Sequence, residues 1–178
     1  MSLMANFKLM AEYNRAMNRN VYHAASTLTP LELSKNQSAF FGSIINTLNH
    51  ILVGDTIWLQ RFAHHTTAFP SLDYVLGLLT PATLDTVLYT DFAELKAKRE
   101  KMDDVIVSFI LELTNDVVAE PLLYTNTRGL DFKKNFGHVL QHFFNHQTHH
   151  RGQVSTLLYQ QGIDVGVTDL LVYVTDVE

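Results

Sequence analysis

Apolar side chains recur every three or four residues through most of this chain, and that period is typical of α-helices. In the first such segment the stripe predicts a helix that ends near Thr29 and Pro30. The members of the stripe are Phe7, Met10, Asn14, Met17, Val21, Ala24 and Leu28. Asn14 is the polar member. We expect it to hydrogen-bond to a neighbouring helix, or else to support a ligand residue from behind.

A second helix is predicted from about residue 37 to residue 64. It follows Ser34-Lys35-Asn36-Gln37, which has the spacing of a capping box. Its apolar stripe contains Phe41, Ile44, Leu48, Leu52, Asp55, Leu59 and Phe62. Because further apolar residues occupy the other faces, we expect this helix to be buried on several sides.

Two more long helices are predicted in the second half of the chain, and each begins at a capping residue. Asp91, with Glu94 three positions later, opens a helix that continues to about residue 114. Asn135 opens another helix, predicted over 136–161, and Gly162 ends it.

The connections between these helices are long. Residues 66–90 are predicted to be a loose connection with a short helix within 71–79. Residues 119–134 fit a short hairpin or an extended loop. Four long helices without βαβ alternation predict an all-α fold, a four-helix bundle with long connections and a short hairpin before its fourth helix. At roughly 150 residues per domain, we expect one domain over residues 1–178.

Charge and composition narrow the function. With 13 Lys+Arg and 18 Asp+Glu the net charge is −5, which disfavours a nucleic-acid partner because that would need a basic face. The chain has no cysteine. Disulfides, thiolate metal sites and a cysteine nucleophile are therefore excluded, and a reducing cytoplasm fits. Without a targeting segment or a run of about 18 apolar residues, we expect a cytoplasmic protein that does not cross a membrane.

Histidine is unusually frequent in the predicted fourth helix. Five of the nine histidines lie there, namely His138, His142, His146, His149 and His150. Two imidazoles four residues apart share a helix face and can bind one metal ion. His150 lies on the apolar stripe of this helix and His146 borders it, so we expect these two to face the interior. His138, near the helix start, is expected in solvent, and His142 is a candidate for an outer position.

A metal ion would need a third ligand from another helix. The second helix offers His50 and Asp55, which point about 140° apart, so both are not expected to bind one ion. The helical wheel places Asp55 on the main stripe, yet the helix is apolar all round and the choice stays open. Asp55 also has a natural partner in Arg151, because an interior carboxylate needs compensation.

Two stretches of the chain resemble the DinB family. One is Leu48-Asn49-His50-Ile51-Leu52-Val53-Gly54-Asp55-Thr56-Ile57-Trp58-Leu59, and the other is His146-Gln147-Thr148-His149-His150-Arg151-Gly152-Gln153. The resemblance spans roughly residues 7–161. It implies a four-helix bundle with a three-histidine metal site, and carried over residue by residue the ligands are His50, His146 and His150. Family members are often dimers, so the resemblance also implies a homodimer.

The resemblance implies a metal-dependent enzyme, since the superfamily includes thiol-dependent S-transferases. Three neutral imidazoles leave a divalent ion its full charge and an open position, which is typical of catalytic sites. Zinc or nickel is expected, and iron or manganese also fits. The reaction would be thiol transfer or hydrolysis on a small-molecule substrate. The alternative is a non-catalytic metal-binding or dimerising bundle, linked by the family name to a damage or stress response.

Supporting residues have more than one interpretation. Gln153 follows His150 by three positions, so it is the candidate catalytic residue that could reach a water on the metal, or else an ordinary packing glutamine. If thiol chemistry occurs, the thiol must be a low-molecular-weight cosubstrate because the chain has none. His64 and His65 are expected at an exposed helix end, and Trp58 is expected in the core.

Overall fold

The computed structural model describes residues 3–176, and their secondary structure is mostly helical. Within that range lie seven α-helices and one two-stranded sheet. In chain order they are α1 (Leu3–Ala25), α2 (Pro30–Ser34), α3 (Ile44–Ala63), α4 (Asp73–Leu76), α5 (Phe92–Glu112), α6 (Asn115–Ala119), β1 (Pro121–Thr125), β2 (Asp131–Asn135) and α7 (Phe136–Tyr159). The mostly helical fold predicted from the periodicity is confirmed. The first two and last two residues of the predicted domain lie outside the described range.

The four long helices pack against one another. Helix α1 contacts α5 and α7, and α3 contacts the same two helices. Their apolar faces meet in a shared core, where the rings of Phe62, Phe109, Phe136 and Phe143 lie within 6.5 Å of one another in successive pairs. Phe62 comes from α3, Phe109 from α5, and the last two from α7, so this cluster joins three of the long helices.

The beginnings of α2 and α3 differ from the prediction. Thr29 caps α2 in a capping box with Glu32, and Pro30 occupies the first helical position, so a short helix follows α1. Ser34 is the last residue of that helix rather than a cap. Helix α3 begins later than predicted, at Ile44, where the Ser43 side chain accepts a hydrogen bond from the backbone of Asn46.

The other predicted caps are confirmed. Asp91 accepts from the backbone N–H of Glu94 at the start of α5, and Asn135 accepts from the backbone N–H of His138 at the start of α7. The hairpin is confirmed too, because β1 pairs antiparallel with β2 from Pro121 opposite Asn135. The second strand therefore runs directly into α7, the helix that contains five of the nine histidines.

The long connection between α3 and α5 is held by polar side chains of α3. It contains a 3₁₀ turn at Pro70–Leu72 and α4, which overlap the short helix predicted within 71–79. The Asn49 side chain accepts from the backbone N–H groups of Leu88 and Tyr89 at 2.8 and 2.9 Å and donates to the Tyr89 carbonyl. This anchoring places the connection over the next residue of α3, His50. Among the described residues, no helix combines the length and apolarity needed to cross a membrane.

A network of buried charges connects the long helices. Asp55 of α3 forms an ion pair with Arg99 of α5, and Arg99 also lies 3.0 Å from Asp103 one turn later. The predicted pair of Asp55 with Arg151 is wrong. Burial alone lowers the pKa of Arg99, but the attraction of Asp103 and Asp55 outweighs it and raises that pKa, so the guanidinium stays charged.

Arg151 belongs to the same network through two asparagines of α1. Its guanidinium donates to the side-chain oxygens of Asn14 and Asn18. The amide groups of both asparagines donate in turn to Asp103, Asn18 at 2.7 Å and Asn14 at 3.5 Å. Asn14 therefore makes the interhelical hydrogen bonds that its stripe position predicted. Two aspartates and two arginines balance in formal charge at the centre of the four helices.

Replacing Arg99 with Met is expected to destabilise the protein by about 3–5 kcal/mol, because it removes the cation paired with Asp55 and leaves the buried network with one uncompensated negative charge. Lys98→Met is the matched control, since Lys98 is exposed on the same helix and should change the free energy of unfolding by no more than about 0.5 kcal/mol. Urea unfolding of both variants measures the difference. A loss below about 1 kcal/mol for Arg99→Met would show that the network does not hold the helices.

Candidate metal centre

Three imidazoles from two helices converge at one point. His50 comes from α3, and His146 and His150 lie one turn apart on α7. The Nε2 atom of His50 is 3.2 Å from Nε2 of His146 and 3.1 Å from Nε2 of His150. Nitrogen atoms bound to one tetrahedral zinc ion at about 2.0–2.1 Å lie roughly 3.3 Å apart. Both distances from His50 are thus close to the spacing expected in one coordination shell, and the three residues form a group that could hold a metal ion.

The environment keeps these imidazoles uncharged. Burial is the largest cause of the low pKa of His146, about 3, and the nearby His150 and His50 lower it further. Burial also lowers the pKa of His50 and of His150. At neutral pH all three rings are neutral, which is the form in which imidazole binds a metal.

Hydrogen bonds to the opposite ring nitrogens fix the tautomers of two members. Nδ1 of His50 lies 2.7 Å from the backbone carbonyl oxygen of Leu84. A carbonyl only accepts, so Nδ1 of His50 carries the proton and Nε2 presents a lone pair. Nδ1 of His150 similarly lies 2.8 Å from Oε1 of Gln153, while the amide nitrogen of Gln153 faces Nε2 of His149 at 3.2 Å.

These two tautomers leave a pair of lone pairs facing each other at 3.1 Å, on His50 and His150. No proton is left between the two nitrogens, so the contact is repulsive unless a cation lies near both. The donor set therefore fits a divalent cation. Neutral imidazoles, oriented from behind by a carbonyl and an amide, are the usual arrangement of histidine metal ligands.

Two further residues shape the walls of this three-histidine centre. A Cβ atom on Gly54 of α3 would lie 2.7 Å from Cε1 of His146, so only glycine leaves room for this ring. On the other side, the ring of Phe41 stacks on His50 at a centroid distance of 4.0 Å and meets His150 edge-on. The imidazoles thus lie between the helix backbone at Gly54 and the ring of Phe41.

The structure places other predicted residues away from the converging Nε2 atoms. Asp55 is completely buried in the pair with Arg99. Gln153 bonds to Nδ1 of His150, the ring nitrogen opposite Nε2. The ring of His142 lies 6.2 Å from that of His146, one turn away. The side chain of His65 is buried beside Phe136 and only 3% exposed, so it does not lie at an exposed helix end as expected.

Sequence reasoning missed three contributors to this region. The Leu84 carbonyl carries no side-chain signal, so no residue pattern could have revealed it. Gly54 stands inside the quoted motif of α3, and a glycine within a buried helix is a signal of close approach. Arg99 is one of several charged residues in α5, a helix whose composition predicts a solvent-exposed face. Only its burial in the structure distinguishes it from the others.

Comparisons with known proteins agree with the resemblance drawn from the two motifs. The profile of the DinB family matches residues 1–176. The chain is also 27% identical over 173 residues to "Protein DinB" of Bacillus subtilis (strain 168). That alignment covers 94% of this chain and 92% of the relative.

The tautomers can be tested in metal-free protein. We expect His50 and His150 to be neutral at pH 7 and protonated on Nδ1, because a carbonyl and an amide oxygen accept from that atom. Two-dimensional nitrogen NMR of the imidazole rings measures this, with the exposed His23 as a reference ring. A proton found on Nε2 of His50 would contradict the assignment.

Proposed function

The chain belongs to the DinB family, and from this membership and its converging imidazoles we propose that it is a divalent-metal-dependent enzyme. The proposed ligands are the Nε2 atoms of His50, His146 and His150. The observation that carries the proposal is the spacing of 3.1 and 3.2 Å between these nitrogens. Two of them present lone pairs because their rings donate elsewhere from Nδ1.

When bound, a divalent ion with three neutral ligands keeps its +2 charge and activates a water or a thiol as a nucleophile. Zinc or nickel suits an all-imidazole site, and iron or manganese is the alternative. The proposed reaction is thiol transfer or hydrolysis on a small molecule. A thiol would come from a low-molecular-weight cosubstrate, because the chain has no cysteine.

The remaining residues of the proposed site orient and shield the ligands. The Leu84 carbonyl and Gln153 hold the rings of His50 and His150, which supports a positioning role for Gln153. Phe41 covers one side of these rings and excludes water from it. We further interpret α1, α3, α5 and α7 as a four-helix bundle, since each packs against two of the others.

A second function is a metal-binding or dimerising protein without catalysis. The side chains next to the centre favour it. The rings in contact with the three imidazoles are those of Phe41, His142 and His149. Within the described residues no carboxylate contacts these imidazoles, so no acidic general base adjoins the site. Screening the metal-loaded protein for hydrolase and thiol-transferase activity distinguishes the two functions.

Metal content is the first test of the proposed ligands. Untagged protein is expected to bind about one divalent ion per chain, as measured by mass spectrometry of the purified protein. His50→Ala, His146→Ala and His150→Ala should each lose it, because removing one of three ligands leaves too few donors. His138→Ala, on the same helix but away from the centre, should retain it. No uptake by unchanged protein on titration would overturn the proposal.

A glycine exchange tests the geometry without removing a ligand. Gly54→Ala should weaken zinc binding at least tenfold, because the added Cβ would lie 2.7 Å from the His146 ring and displace it. Gly152→Ala is the matched control on α7, where a Cβ meets no atom within 4 Å. Competition with a chromogenic chelator measures both affinities. Equal zinc affinity in the two variants would contradict the proposed position of His146.

A further inference from the structure

A groove lies between α3, α7 and the hairpin, about one helical turn from the three-histidine centre. It has a volume of about 490 Å³, which is within the range of small-molecule sites. Its walls include Trp58 of α3 and His138 and His142 of α7, and the hairpin contributes Tyr124 and Lys134. His138 and His142 are exposed histidines of α7 that do not belong to the three-histidine centre. Both line this groove.

The groove and the centre lie about one helical turn apart along α3 and α7. In the centre, the ring of His146 lies against Gly54. One turn along α3 and one turn back along α7, the ring of His142 meets Trp58 at a centroid distance of 5.4 Å. Because one turn is about 5.4 Å, a molecule lying in the groove would end close to the centre.

The lining is aromatic. The rings of Trp58 and Tyr124 meet at 5.2 Å, and Tyr124 is stacked on Phe132 of β2. Trp58 is only half-buried, so the expectation that it belongs to the core is wrong in part. Half-exposed rings of this kind offer an apolar surface, chiefly ring edges, against which a flat apolar group packs.

The charge around the groove is positive although the chain carries −5. Lys134 lies at the rim. The guanidinium of Arg61 lies over the rings of Trp58 and Tyr124 at 4.6 and 5.1 Å, beside the groove and not in it. Among the described residues, no carboxylate lines the groove or pairs with either cation. The imidazole nitrogens of His138 and His142 likewise have no hydrogen-bond partner within residues 3–176. Cations and free donors without acceptors suit an anionic ligand.

We propose that this groove binds a small organic anion with a flat apolar group, and that it is the substrate-binding side of the three-histidine centre. The second claim, that the groove is the substrate-binding side of the centre, rests on the proposed function. The first claim, that the groove binds an anion, does not. The aromatic walls would hold the flat group, and Lys134, His138 and His142 would contact the acidic group.

The chain contains its own reporter, because Trp58 is its one tryptophan. Fluorescence of Trp58 is followed while metal-free protein is titrated with benzoate, with neutral benzamide and with cationic benzylamine. Benzoate should bind at least about fivefold more tightly than benzamide, which corresponds to one charge contact at a surface, and benzylamine should bind most weakly. Benzamide binding as tightly as benzoate would overturn the assignment of an anion.

Two lysines of β2 provide a matched pair of variants. Lys133 and Lys134 are adjacent in the strand, so their side chains point to opposite faces of the hairpin. Lys134→Met should weaken benzoate binding about fivefold and leave benzamide unchanged. Lys133→Met, with the same loss of charge, should leave both unchanged. An equal effect of the two variants would assign the binding to net charge and overturn the proposal.

Loading with zinc tests the connection to the centre. In zinc-loaded protein benzoate should bind several-fold more tightly than in metal-free protein, because a divalent cation then lies at the end of the groove. Unchanged affinity in protein shown to contain zinc would separate the groove from the centre and overturn the claim that the groove is its substrate-binding side.

Zinc content of histidine variants tests whether the groove itself binds the metal. If His50→Ala retained zinc and the double variant with His142→Ala lost it, the groove histidines would be metal ligands and the proposal would be overturned. Zinc content of Lys134→Met should equal that of unchanged protein, which keeps a failure of the groove distinct from a failure of the proposed metal site.

Discussion

The buried guanidinium of Arg99 is the constraint on which the arrangement of the long helices depends. It is only 2% exposed, so its charge must be compensated inside the protein. Asp55 of α3 and Asp103 of α5 provide that compensation, and Asp103 connects through Asn14 and Asn18 of α1 to Arg151 of α7. Polar contacts of this kind are directional, so they specify the rotation of each helix about its axis more strictly than apolar packing does.

That rotation is what brings the three imidazoles together. Asp55 lies five residues after His50 on α3, and Arg151 lies directly after His150 on α7. With the network fixed on one side of these helices, His50 of α3 faces the turn of α7 that carries His146 and His150. The charge network and the imidazole cluster are therefore two faces of one helix pair.

The cluster is organised before any ligand arrives. Its rings are neutral because burial lowers their pKa, and two are held in one tautomer by acceptors behind them. One of these acceptors is a main-chain carbonyl in the connection that Asn49 anchors. The long connection thus supports the site, and the groove beside Trp58 lies about one helical turn from it. An acidic chain with a locally basic, aromatic groove is suited to small anions, in contrast to extended polyanions.

The sequence by itself determined the local features. Asp91 and Asn135 cap the helices they were predicted to cap, and the hairpin predicted within 119–134 forms over 121–135, because caps and turns depend on neighbouring residues. Periodicity also placed His146 and His150 on one face of α7. The DinB motifs, and not the wheel, singled out His50. Tertiary structure places His50 and not Asp55 beside these histidines. It alone decided that Asp55 pairs with Arg99 and not Arg151, and that the Leu84 carbonyl holds His50. Periodicity gives the angular position of a residue on its own helix, whereas partners depend on which helix faces which and at what height, and that is set by packing of the whole chain.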